Sequence, residues 1–392
     1  MLNDLLDSKA KYKKSPLQEI ATGFFSLAFP VRKSGWKRVM TLPLPTPQMQ
    51  VGFLRNIQRL LAEGQFVASY KLALVHALAD LAVVKGDDFG SELQIGTKEI
   101  AVKFIELYWR QCRYLQIGNQ TSRLILQQNT GERQAAILSK IAACQQEGRG
   151  SVLRFQMASP ERWRALVSEV EQVVRAMPLW KLQTLGNERL EFLYENLDRG
   201  GSITLKPGVA YCFRAFYELI RDLIEGAWIR FIQKVNAHRL GNTVDLGAFL
   251  FSHERTSLEV YRPILTDLQR GECQYCQKPL SGKTQVDHFV PWSRYPCDLG
   301  QNMVLAHERC NRAKSDFLAA EQHLAAWIER NRSHRSQLHE RLIMASLPCD
   351  GTANDQIAKW AYRKTEEASG QVWVEKKILR HLGPGWVRCF AA

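Results

Sequence analysis

Apolar positions across residues 16–240 recur every three or four residues, which predicts a mainly helical chain. Leu72 to Val84 (LALVHALADLAVV) is apolar on most faces and reads as a buried helix. Lys98 to Cys112, Glu132 to Gln145 and Pro160 to Met177 carry amphipathic spacing, with Ser159 as N-cap and Pro160 at the first helical position of the third. Leu190–Tyr194 and Ser202–Leu205 read as two short strands around a Gly200-Gly201 turn. Val209 to His238 reads as one long helix with an aromatic stripe (Tyr211, Phe213, Phe216, Tyr217, Trp228, Phe231), expected in the core. Pro43 to Pro47 reads as a turn-rich connector, and Asn242 to Ser252 as the approach to a second domain.

The pattern then changes period. Lys283 to Phe289 (KTQVDHF) and Asn302 to Ala306 (NMVLA) read as strands, and His307 to Lys314 (HERCNRAK) as a short helix. Ala319 to Asn331 predicts another helix, continued by the basic run Arg330 to Arg341. Residues 349–392 look less regular, with Trp360, Trp373 and Trp386 as expected anchors.

Chemistry concentrates in the strand-strand-helix stretch. Cys273-x-x-Cys276 and His307-x-x-Cys310 are two half-sites, each short enough to reach one metal from a tight turn. Together they suit a structural Zn²⁺, with His307 the least orthodox ligand. Between them lie Asp287-His288 and Asn302, and just beyond lies Asn311. Two decoys fail: Gly282-Lys283-Thr284 lacks the upstream glycine of a phosphate loop, and VWVEKK (372–377) has no partner acidic strand.

Composition narrows the partner. The chain has 392 residues, 45% hydrophobic and 23% charged, enough for two or three domains. Its net charge of +14 favours a polyanion, since neutralised phosphates release counterions. There is no apolar run of bilayer length and no signal-like N-terminal pattern, so the expectation is a cytoplasmic protein without membrane insertion. Six of the nine cysteines (Cys112, Cys144, Cys212, Cys297, Cys349, Cys389) are scattered, which argues for reduced thiols used as small core residues.

Val286-Asp287-His288-Phe289-Val290-Pro291, Asn302 and Cys310-Asn311-Arg312-Ala313-Lys314 together resemble the HNH (ββα-metal) endonuclease motif, over roughly residues 271–318. The resemblance implies His288 as general base, Asp287 and Asn311 as ligands of a catalytic Mg²⁺ (or Mn²⁺), and Asn302 as a brace. Arg312 and Lys314 are candidates to steady a substrate phosphate. The fold expectation is mainly α with a small α+β unit: a helical regulatory or targeting domain (1–245), a zinc-stabilised ββα-metal nuclease domain (246–330), and a basic C-terminal helix and tail (331–392). The expected substrate is DNA, with RNA also open, and a single site is expected to nick one strand. A single HNH unit behind a large helical domain is similar to effector nucleases of bacterial anti-phage systems such as Zorya. That similarity implies partner proteins; separately, the size of the flanking regions relative to the catalytic unit leads to the expectation that residues 1–245, or the tail from 349, restrain the site. A stand-alone restriction-type enzyme and a catalytically silent zinc-stabilised binding protein are the alternatives, and the oligomeric state stays open.

Overall fold

The computed structural model describes residues 44–117, 120–145, 151–195, 200–240, 245–251 and 258–391. Pro43, the N-terminal stretch and positions 242–244 and 252 lie outside them. Helices dominate: α1 (Pro47–Glu63), α2 (Tyr70–Lys85), α3 (Thr97–Gln111), α4 (Pro160–Ala176), α5 (Val209–Ala215) and α6 (Tyr217–Val235) form the first part. α2 is buried almost end to end, as its all-round apolar sequence predicts.

Three expectations change here. Pro47 belongs to no connector: it opens α1, whose N-cap Thr46 accepts a bond from the Met49 amide. The long helix over 209–238 is two helices, broken at Phe216 (φ −116°, ψ 25°), so that Phe213 and Tyr217 both reach the core. Strand Ser202–Leu205 ladders antiparallel with Leu93–Gly96 and meets Tyr194 only through an isolated bridge at Leu205. The aromatic stripe is core as expected, with Phe213, Tyr217 and Trp228 buried.

The second part is built on the antiparallel pair β1 (Thr284–His288) and β2 (Met303–His307), followed at once by α7 (Glu308–Lys314). α8 (Glu321–Ser333), α9 (Arg335–Met344) and α10 (Gly351–Glu367) follow, then the hairpin β3 (Gln371–Glu375) and β4 (Ile378–His381). The tail from 349 is therefore regular, contrary to expectation. Its sequence hides this because α10 carries Lys and Glu on its outer face and aromatics inside. Trp360, Trp373 and Trp386 are all buried.

Every residue of β2 is buried, because the two faces of the strand meet two different cores. Val304 and Ala306 face the main core with Phe289, Val290 and Trp327. Met303 and Leu305 face a smaller core with Val286, Leu265, Leu338 and Leu342. Period-two alternation thus sorts one strand between two apolar layers, which fixes its register. Phe289 stacks flat on Trp327, 4.6 Å between centroids.

Candidate active site

The first knuckle is a tight turn. The Cys273 amide donates to Lys278 O, the Gln277 amide donates to Cys273 O, and Gln277 takes a left-handed φ of 54°. The second half-site sits where β2 runs into α7. The two join at Sγ of Cys273, Cys276 and Cys310 and the His307 ring, all ligand atoms lying within 4.8 Å of one another. His307 Nδ1 faces Cys276 Sγ at 3.4 Å, and its Nε2 lies 3.1 Å from Pro279 O. The Ser281 amide also lies 3.4 Å from Nε2; with a proton on Nε2 serving the closer carbonyl, Nδ1 is left for a metal, the arrangement expected of a histidine ligand. Burial, with the two neighbouring thiols, pushes the Cys310 thiol up to about 12. Three thiols crowded with one imidazole fit Zn²⁺, which binds the deprotonated thiolates.

The catalytic candidates lie on β1, on the 3₁₀ turn Gly300–Asn302 that leads into β2, and on α7. The β1–β2 ladder is regular, with no bulge at Asp287-His288, so the pair does face opposite ways. Asp287 shares its face with Gln285, and α7 runs across that face. Asn311 Nδ2 donates to Gln285 Oε1 (2.9 Å), and Lys314 Nζ meets Asp287 Oδ2 (3.1 Å). Asp287 and Asn311 therefore border one face of the unit. One carboxylate and one amide carbonyl form a hard oxygen set that suits Mg²⁺ with sites left for water and substrate.

Lys314 is not a surface residue. Its side chain is 1% exposed, and its ammonium also donates to His288 O. The reason is the packing of α7 on β1, which turns position 314 inward against Tyr275 and Asp287. Tyr275 donates its hydroxyl to Asp287 Oδ2 at 2.6 Å; burial and that carboxylate raise its pKa well above the usual value, so the proton stays on. Arg312 does face solvent (79% exposed) and pairs with Glu308.

His288 is mostly buried, with Nε2 2.7 Å from Asp298 Oδ1 and its ring edge-on to Trp292. Asp298 has no counterpart in the sequence reading: it sits in an irregular loop where no spacing marks it. Asn302 uses both ends of its amide on one residue, accepting from Val290 N (2.8 Å) and donating to Val290 O (2.9 Å). Flanking Asn302, Gln301 O and Met303 O accept from the buried guanidinium of Arg330, the first residue of the basic run. Trp327 Nε1 and Asn331 Nδ2 add bonds to Gln301 O. Gly300 passes against Leu342, leaving no room for a Cβ.

Among the described residues no helix is long and apolar enough to cross a membrane. Residues 50–250, just over half of the chain, match the family model of a domain of unknown function, DUF8808. Residues 273–317 match that of the HNH endonuclease. No curated protein matches the chain. A similar solved structure is that of the Type II-C Cas9 enzyme from Actinomyces naeslundii, at 14% identity and a TM-score of 0.20. That match covers 88% of this chain and 45% of the other, an overlay too loose to carry any inference.

Proposed function

We propose that this chain, which belongs to the DUF8808 family and carries an HNH endonuclease domain at residues 273–317, hydrolyses DNA phosphodiester bonds, one strand per site. The observation that supports this most is the placement of Asp287 and Asn311 on one face of a ββα unit, with His288 next in the same strand and a Cys₃His cluster that fits zinc beside them. His288 acts as general base. Asp298 can only accept from Nε2, so Nδ1 is left with a lone pair for the attacking water. Trp292 limits the swing of the ring.

Asp287 and Asn311 offer the oxygens that would hold Mg²⁺ (or Mn²⁺), which when bound supplies charge neutralisation at the phosphate and leaving oxygen. Arg312, exposed on α7 beside Glu308, would meet a neighbouring phosphate of the bound strand. One unit has one base and one pair of oxygen ligands, so the elementary product is a nick. The biological role we propose is bacterial anti-phage defence with partner proteins, and its support is the resemblance of the chain's organisation alone.

The test is nicking of supercoiled plasmid by the full chain with Mg²⁺, set beside His288→Ala and Asn311→Ala. Relaxed circles from wild type but not from His288→Ala support the assignment. Equal cutting by His288→Ala refutes it, cutting of RNA alone replaces the substrate, and no cutting of either nucleic acid favours a silent binding protein.

A further inference from the structure

The loop between β1 and β2 does more than connect strands. It carries Asp298, the carboxylate against His288, and its midpoint is gripped by the helical part of the molecule. Tyr295 is buried and stacks on Tyr217 of α6, with centroids 5.5 Å apart and planes 25° apart. Trp360 of α10 closes the pocket edge-on to both rings. Tyr217 is itself fixed by its hydroxyl bond to Asp80 of α2 (2.8 Å). Beside the stack, Arg294 of the loop faces Glu218 of α6 at 3.6 Å.

Past Tyr295 the loop is tied down again. Tyr261 donates to Asp298 O (2.9 Å), and the Gly300 amide donates to Pro348 O (2.8 Å). Asp298 thus lies between one clamp from residues of the 50–250 region and another from the C-terminal half. Its side chain is 18% exposed, so it cannot swing freely in water.

We infer that Asp298 is the positioning residue for His288, and that the helical domain sets it through the Tyr217–Tyr295 stack. This rests on the reading of His288 as general base. The physical content is orientation and tautomer. A carboxylate at Nε2 keeps the proton on that nitrogen and fixes the ring; an amide can donate to Nε2 instead and so favours the wrong tautomer. The helical domain then acts as a frame that completes the site. A partner that displaced α6 would switch the site off by releasing the loop.

The test uses the full chain, four single variants (Asp298→Asn, Tyr295→Leu, Tyr295→Phe and His288→Ala) and the double variant Asp298→Asn with Tyr295→Leu. Plasmid nicking gives kcat and KM, and ¹⁵N imidazole NMR, with His288 assigned by its loss in His288→Ala, reads the tautomer without requiring turnover. Asp298→Asn is expected to lower kcat about 10–10³-fold with KM held within about twofold. It should also shift the His288 signals away from the Nε2–H form. Tyr295→Leu should move kcat and the NMR signals the same way, while Tyr295→Phe, which keeps the stack, should match wild type. Combining Asp298→Asn with Tyr295→Leu should add little to either alone. Unchanged His288 signals in Asp298→Asn overturn the positioning role, and a Tyr295→Leu variant with wild-type signals and rate overturns the frame. If wild type cuts nothing while the NMR shifts appear as stated, the nuclease reading fails and the positioning link stands.

Discussion

Lys314 places a fully buried ammonium 3.1 Å from the carboxylate of Asp287, inside the face where Asp287 and Asn311 converge. The ammonium is enclosed: it shares Asp287 Oδ2 with the Tyr275 hydroxyl and donates also to the His288 carbonyl. Breaking such a pair from one side strands a buried charge, typically at about 3–5 kcal/mol. Lys314→Met should therefore lower stability by about that much in urea denaturation. The double variant Lys314→Met with Asp287→Asn should recover part of the loss. A single variant as stable as wild type would place the ammonium in water.

Loss of the base should be read in rate. His288→Ala is expected to slow plasmid nicking about 10²–10⁴-fold. Asn311→Ala should instead raise the Mg²⁺ concentration needed for half-maximal rate, because it removes an oxygen donor and leaves the base in place.

The Cys₃His cluster joins three segments, so its metal should act on folding. Metal analysis of the purified chain should give about one Zn²⁺ per molecule, and Cys273→Ser or Cys310→Ser should lose it. Thermal unfolding should then begin in residues 271–318 at lower temperature, with structure and not merely rate affected. Zinc retained by both variants would refute the ligand set.

His76, which belongs to neither candidate metal site, supplies a pH test. Burial opposes its charge, but Asp80 (3.6 Å) and Glu225 (3.5 Å) outweigh burial and raise it to about 9. The usual value of 6.5 applies in the unfolded chain, so the protonated form is favoured by folding. That contribution is complete below about pH 6.5 and is lost as pH rises through about 9. Asp80, driven the other way to about 2 against its own burial, keeps its share above about pH 4 and loses it as pH falls through about 2. Melting temperature should thus decline between pH 7 and 10, and His76→Gln should flatten that decline.

The clustering of Cys273, Cys276, His307 and Cys310 was legible because x-x spacing is itself a turn geometry, so within each half-site sequence distance and spatial distance coincide. Asp287, His288 and Asn311 were legible through their motif order. The burial of Lys314 was not legible because its surroundings come from elsewhere: Tyr275 belongs to the knuckle, and Asp287 to the strand that α7 packs across. Asp298 carried no signal, since a lone acid in an irregular loop has no period to betray its partner. The break at Phe216 was equally silent, with neither Gly nor Pro to mark it. Thr46-Pro47 did carry a signal, an N-cap followed by Pro at the first helical position, and the turn-like look of PLPTP masked it.

The burial of Trp360 against α5 and α6, with its indole N–H given to Arg214 O (3.0 Å), bears on portability. α10 lies beyond the nuclease unit in sequence yet seals Tyr295 from the far side. A piece excised at residues 246–345 would leave that tyrosine and its loop facing water. Engineers wishing to graft this HNH unit onto another protein would need to carry α6 and α10 along, or redesign the loop to stand alone.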